Sequence, residues 1–139
     1  MDLRPLSPDF AVSPQIMPED VAAIAEAGFK SIMCNRPDGE EWGQPDVAAI
    51  SEAAEKAGLE LRWVPIISGM VGRDEVQAFD AAMQELPAPV LAYCRTGTRC
   101  TMMWTIVQHG RMPDADILKA TSGAGYDMAG LLGQLSQQG

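Results

Sequence analysis

Apolar residues along this chain follow two rhythms, and the switching between them predicts its elements. Short apolar-rich segments read as strands: Phe10-Ala11-Val12, Lys30 to Cys34, Leu59 to Ile67, and the continuous apolar run that follows Pro89, Val90-Leu91-Ala92-Tyr93. Between them, apolar positions recur every three or four residues, the period of a helix with one face buried. Val21, Ile24 and Ala25 mark a helix that starts at Met17-Pro18-Glu19-Asp20 and ends at Gly28. A second helix runs from Pro45 to Ala57 and is closed by Gly58. A third runs from Arg73 to Leu86, with Val76, Phe79, Ala82, Met83 and Leu86 on one stripe. Three shorter helical patterns begin near Arg99, Pro113 and Asp127. Turn residues crowd the segments 35–41 and 69–72.

Strands that alternate with helices need crossover connections, so the expected fold class is α/β: a mainly parallel sheet flanked by helices on both faces. The 139 residues suit a single domain spanning 1–139, and with 47% apolar residues it should fold without disulfide or metal support. No repeat, linker or low-complexity segment interrupts the pattern. In such sheets ligands gather outside the carboxyl ends of the strands. Cys34 and Cys94 each end a strand, so one edge is expected to present both.

Chemistry concentrates at Cys94-Arg95-Thr96-Gly97-Thr98-Arg99, between the last apolar run and a helical pattern. There the backbone N–H groups lack intrahelical partners, so the loop can cradle an anion and lower the thiol's pKa. Arg95 and Arg99 add positive charge, Gly97 permits a tight turn, and the threonines offer hydroxyls. Four residues separate Cys94 from Arg99, where cysteine phosphatases have five. The narrower bowl suits a single sulfane sulfur on the cysteine, held as a persulfide.

Charge and cysteine usage narrow the classes further. A net charge of −9 disfavours nucleic acid and anionic membranes as partners and sets the basic loop apart. Three cysteines and one histidine match no zinc spacing, so neither a metal nor a cofactor is expected. The amino terminus lacks the pattern of a signal peptide and no run is long enough to span a membrane, which makes a cytoplasmic location the expectation. His109 before Gly110 reads as a helix-end residue, and Cys100 as packing.

Four ordered motifs, Val12-Ser13-Pro14-Gln15, Asn35-Arg36-Pro37-Asp38-Gly39-Glu40, the Cys94–Arg99 loop and Ala124-Gly125-Tyr126-Asp127, resemble the DUF442 family. Its members are described both as the phosphatase-like domain of beta-lactamase hydrolase-like proteins and as sulfur transferases. The resemblance implies a protein-tyrosine-phosphatase-like fold, close to the dual-specificity class, with a rhodanese-type loop. It makes Cys94 the nucleophile and persulfide carrier, Arg99 the residue that closes the loop and binds the donor's anionic end, and Arg95, Thr96, Gly97 and Thr98 the cradle. Some members are fused to a persulfide dioxygenase, which enters as a candidate partner.

Two departures from the phosphatase pattern matter. Tyr93 and Cys100 stand where phosphatases carry histidine before the cysteine and a hydroxyl residue after the arginine. The stretch 66–72, where phosphatases place an aspartic acid, has no acid, leaving Asp38 and Asp74 as candidate general acids. Phosphate esters need a proton for a poor leaving group, a contribution of about 10²–10⁴-fold, whereas sulfite and thiolates leave without one. The expected activity is therefore sulfur transfer from thiosulfate or glutathione persulfide to a thiol or cyanide. Phosphate monoester hydrolysis through a cysteinyl-phosphate is the alternative, and a non-catalytic oxyanion-binding module the second. Cys34 is the candidate resolving thiol. Arg36 would orient either the acidic loop or the substrate.

Overall fold

The computed structural model describes residues 1–138. Its five-stranded sheet comprises β1 (Arg4–Ser7), β2 (Phe10–Ser13), β3 (Ser31–Cys34), β4 (Glu60–Trp63) and β5 (Val90–Tyr93), in the order β1-β2-β5-β3-β4. Only the β1–β2 hairpin is antiparallel; β5 runs parallel to both β2 and β3, and β3 parallel to β4. The expected mainly parallel sheet is thus present, with β5 at its centre. A central parallel strand must be apolar on both faces, which explains why all four residues of β5 are buried.

Helices cover both faces. They are α1 (Val21–Glu26), α2 (Val47–Ala57), α3 (Arg73–Glu85), α4 (Thr98–Gln108), α5 (Asp114–Gly123) and α6 (Ala129–Gln138). One core layer joins Ile24, Ile32, Ile50, Leu91 and Tyr93 beneath α1 and α2. The other joins Met33, Phe79, Ala92, Cys94, Cys100 and Trp104 beneath α3 and α4. Successive β5 side chains alternate between these layers, so Tyr93 faces one and Cys94 the other. Among the described residues no helix is long and apolar enough to cross a membrane.

The structure departs from the sequence reading in three places. β1 has no apolar run: only Leu6 of its four residues is buried, and Pro5 is tolerated because the strand lies at the sheet edge. The strand read as Leu59 to Ile67 is regular only over 60–63, because Pro65 has no N–H for the ladder; Val64 and Ile66 still donate to the carbonyls of Cys34 and Asn35. The first helix divides into a 3₁₀ turn at Pro18–Asp20 and the short α1, with Asp20 accepting the Met17 N–H at 2.8 Å.

Candidate active site

The loop after β5 is built by its neighbours. The Cys94 N–H donates to the Ser13 carbonyl and the Gln15 N–H to the Arg95 carbonyl, extending the β2–β5 pairing into the turn. The chain then reverses at Gly97, whose φ of +88° favours glycine, and enters α4. Thr101 fastens that reversal, its hydroxyl donating to the Gly97 carbonyl at 2.8 Å. The Tyr126 hydroxyl donates to the Thr96 carbonyl at 2.9 Å, and a Cβ at position 97 would run into that hydroxyl. Arg4 in turn stacks over the Tyr126 ring, 5.0 Å from its centroid. The sequence pattern alone gives Tyr126 no task, although it stands in the motif Ala124-Gly125-Tyr126-Asp127.

Cys94 lies at the floor of this loop with no solvent exposure, and its pKa is lowered to about 5. The leading cause is hydrogen bonding from the Cys100 thiol beneath it. Backbone N–H groups of Cys100, Thr96 and Arg99 add to this, and together they outweigh the cost of burying the charge. The Gly97 N–H lies 3.1 Å from the sulfur. The cradle differs in detail from the expected one: the Thr98 N–H turns instead to the Thr96 hydroxyl at 3.3 Å. Cys100, read as packing, is fully buried as packing requires and is also the thiol donor to Cys94. It occupies the place of the phosphatase hydroxyl.

A cleft of about 480 Å³ opens over the loop, lined by Arg36, Arg95, Arg99, Glu40, Glu41, Ser68, Thr96 and Thr98. Arg99 donates through both terminal nitrogens to the Glu40 carboxylate at 2.8 Å each, and to the Ile66 carbonyl at 2.8 Å. Arg36, 2% exposed, reaches Glu40 (2.9 Å), Glu41 (3.1 Å) and the Gln15 side chain (3.0 Å). The structure thus gives Arg36 the work of orienting the acidic loop. The exposed Arg95 pairs with Glu41 at 3.2 Å. Bonding to Arg99 holds the Glu40 carboxyl below its ordinary range, with Arg36 contributing in the same direction. Sequence reasoning did not assign Glu40 or Glu41: Arg36 is near them in the chain, but the loop arginines they hold, Arg99 and Arg95, lie 59 and 54 positions away.

The remaining candidates stand elsewhere. Asp38 accepts the Val47 N–H at 2.8 Å and so caps α2, while Asp74 sits exposed in the first turn of α3; neither lines the cleft. Cys34 shares the carboxyl edge with Cys94, as expected, but packs in the opposite core layer. Its thiol donates to the Arg36 carbonyl at 3.4 Å, also bonds the Tyr93 hydroxyl, and has its pKa raised by burial. His109 ends α4 and pairs with Asp114 at 3.0 Å.

A cysteine of lowered pKa in a ring of N–H groups, at the junction of the central strand and a helix of this mainly parallel sheet, sits within a protein-tyrosine-phosphatase-like fold. Residues 2–111 match the family model "Beta-lactamase hydrolase-like protein, phosphatase-like domain", and the chain belongs to that family. It is 31% identical over 140 residues to the beta-lactamase hydrolase-like protein of Xylella fastidiosa (strain Temecula1), and 32% over 129 residues to that of Agrobacterium fabrum. These alignments take in 99% and 91% of this chain but only 32% and 30% of those proteins, so the chain spans about a third of their length. A crystal structure of a candidate phosphatase from Neisseria meningitidis superposes with a TM-score of 0.87 at 34% identity, covering 99% of this chain and 98% of that one. The core catalytic domain of the PP-IP phosphatase SIW14 from S. cerevisiae shares the fold, with a TM-score of 0.67 at 16% identity over 99% of this chain and 84% of that one.

Proposed function

We propose that this domain is a cysteine-dependent sulfurtransferase. The observation that carries the reading is Cys94, its pKa lowered to about 5, buried in the loop whose Arg95, Thr96, Thr98 and Arg99 line a cleft in which the carboxylates among the described residues, Glu40 and Glu41, are each bonded to two arginines. The loop holds a nucleophile and the cleft above it offers anion-binding donors, but the lining has no carboxylic acid free to protonate a departing alkoxide. Sulfur transfer needs none. Cys94 attacks the outer sulfur of the donor, expelling sulfite from thiosulfate or a thiolate from glutathione persulfide, and an acceptor thiol or cyanide then removes that sulfur. Arg99 and the loop N–H groups hold the donor's anionic end. Three guanidiniums here face two carboxylates, so the lining keeps a positive excess for the donor's anionic end.

Hydrolysis of phosphate monoesters through a cysteinyl-phosphate is the second reading. The matching family model and the Neisseria protein, both described in phosphatase terms, favour it. Intact-protein mass spectrometry after incubation with thiosulfate or glutathione persulfide tests the first reading. One added sulfur atom on the wild type, absent from Cys94→Ser, is expected. On the same preparation kcat/KM for sulfur transfer should exceed that for para-nitrophenyl phosphate, and the reverse order would select the phosphatase. Arg99→Lys should lose about 10²-fold in turnover, more than Arg95→Lys, since an ammonium cannot hold Glu40, the Ile66 carbonyl and a donor at once.

A further inference from the structure

We propose that the cavity beside Trp42 is a second compartment of the cleft and takes an aromatic ring carried by the sulfur donor close to its anionic end. The donor class is then an aryl thiosulfonate or a comparable aryl-bearing sulfane anion. That the donor brings sulfane sulfur rests on the proposed sulfur transfer; that it brings a ring rests on the cavity. The cavity, about 560 Å³, shares Arg36, Glu41, Arg95 and Thr96 with the cleft over the loop, so one molecule can extend through both. Arg95 follows Cys94 in the chain, Glu41 precedes Trp42, and the two charged side chains meet at 3.2 Å. That ion pair holds the segment carrying the indole against the loop carrying the nucleophile.

What the cavity adds to the cleft decides its ligand. Its further lining is Gln15, Met17, Trp42, Gly43, Gln44 and Pro45, with no additional charged side chain among the described residues. Both amides are already engaged within the protein. Gln15 donates to the Ile16 carbonyl at 2.7 Å and accepts from Arg36 at 3.0 Å; Gln44 donates to the Pro37 carbonyl at 2.8 Å and accepts the Glu40 N–H at 3.1 Å. Arg36 and Arg95 are both bonded to Glu41, which leaves a second carboxylate on the donor little to pair with. The surface left for a ligand is the Trp42 indole, wholly exposed, and the Met17 side chain, 40% exposed. Trp63 is half-exposed for a structural reason, since its N–H donates to the Arg36 carbonyl at 3.0 Å and ties that loop to β4. Trp42 instead forgoes the gain of covering a large apolar side chain. A flat ring recovers that gain by stacking on the indole, and a thioether packs well at its edge. An alkyl group recovers area alone.

Benzenethiosulfonate is the simplest probe. The Cys94 thiolate attacks its outer sulfur, the sulfur–sulfur bond breaks, and the electron pair leaves on benzenesulfinate. The outer sulfur stays on Cys94 as a persulfide until cyanide takes it as thiocyanate and returns the thiolate. Because the ring takes no part in the bonds that change, its contact with Trp42 acts through KM. Thiocyanate formation from benzenethiosulfonate and from methanethiosulfonate is measured for wild type, Trp42→Phe and Trp42→Ala, with the uncatalysed rate subtracted. The ratio of kcat/KM for the aryl donor to that for the alkyl donor cancels their unequal intrinsic reactivity when proteins are compared. It should fall about tenfold in Trp42→Ala and by no more than about twofold in Trp42→Phe, which keeps a ring. A ratio unchanged in Trp42→Ala would overturn the compartment and leave sulfur transfer standing. A second arm needs no turnover: benzenesulfonate and methanesulfonate are compared as protectants of Cys94 against iodoacetamide, read on the tryptic peptide 74–95, which holds no other cysteine. Benzenesulfonate should protect wild type at about a tenfold lower concentration and lose that advantage in Trp42→Ala. If neither thiosulfonate yields thiocyanate while this Trp42-dependent protection persists, sulfur transfer fails and the aromatic compartment stands.

Discussion

At Cys94, burial opposes ionisation, and the donors around the sulfur decide the outcome. Their sum places the pKa at about 5, so the sulfur is almost wholly thiolate at neutral pH. Alkylation of Cys94 by iodoacetamide, read on its own tryptic peptide, should accelerate with pH up to about 5 and stay level above, since only the thiolate reacts. Because the Cys100 thiol is the leading cause, Cys100→Ala should move that midpoint upward, while Cys100→Ser, which keeps a donor, should move it less. A wild-type midpoint at the free-thiol value of about 8.5 would remove the case for an activated nucleophile. Glu40 sets the charge balance above the sulfur in the same local way: Arg99 is presented to the cleft as half of an ion pair, held in place before any donor arrives.

The junction of β5, the loop and α4 was legible in the sequence because every signal for it is local: an unbroken apolar run, then Cys94, then Gly97 before a helical pattern. What holds the junction was not legible. Tyr126 meets Thr96 across 30 positions and Glu40 meets Arg99 across 59, separations over which no spacing rule operates. β1 escaped for a different reason, since an edge strand need bury only one residue and leaves no apolar run to read. The loop's dependence on these partners can be measured. Gly97→Ala should both strain a left-handed backbone position and press against Tyr126, costing more than about 1 kcal/mol and abolishing the plateau in Cys94 alkylation. Tyr126→Phe removes one hydrogen bond, about 1 kcal/mol, and should lower Tm by about 3–5 °C while leaving the fold intact. Equal melting temperatures for Tyr126→Phe and wild type would mean that Thr101 and β2 hold the loop unaided.

Across the whole molecule, β5 is the shared wall of two core layers, so damage to it cannot remain on one side. Leu91, fully buried under α1 and α2, is one residue away from Ala92 under α4. Leu91→Ala should cost about 2–5 kcal/mol, and urea unfolding should stay a single transition in which Cys34 and Cys100, in different layers, become labelled together. Separate labelling midpoints would show that the layers unfold independently. The α/β alternation made this architecture readable from the chain, but the division of Cys34 and Cys94 between faces turned on single-residue register, which an apolar run does not specify. The tryptophans add a practical consequence. Trp42 stands fully in solvent beside Arg95 and Thr96, Trp63 is 44% exposed, and Trp104 is 1% exposed against the layer that holds Cys94. The protein thereby carries its own optical reporters: long-wavelength emission, quenched by iodide, that senses what arrives at the entrance, and short-wavelength emission, shielded from iodide, that senses whether the interior is still closed.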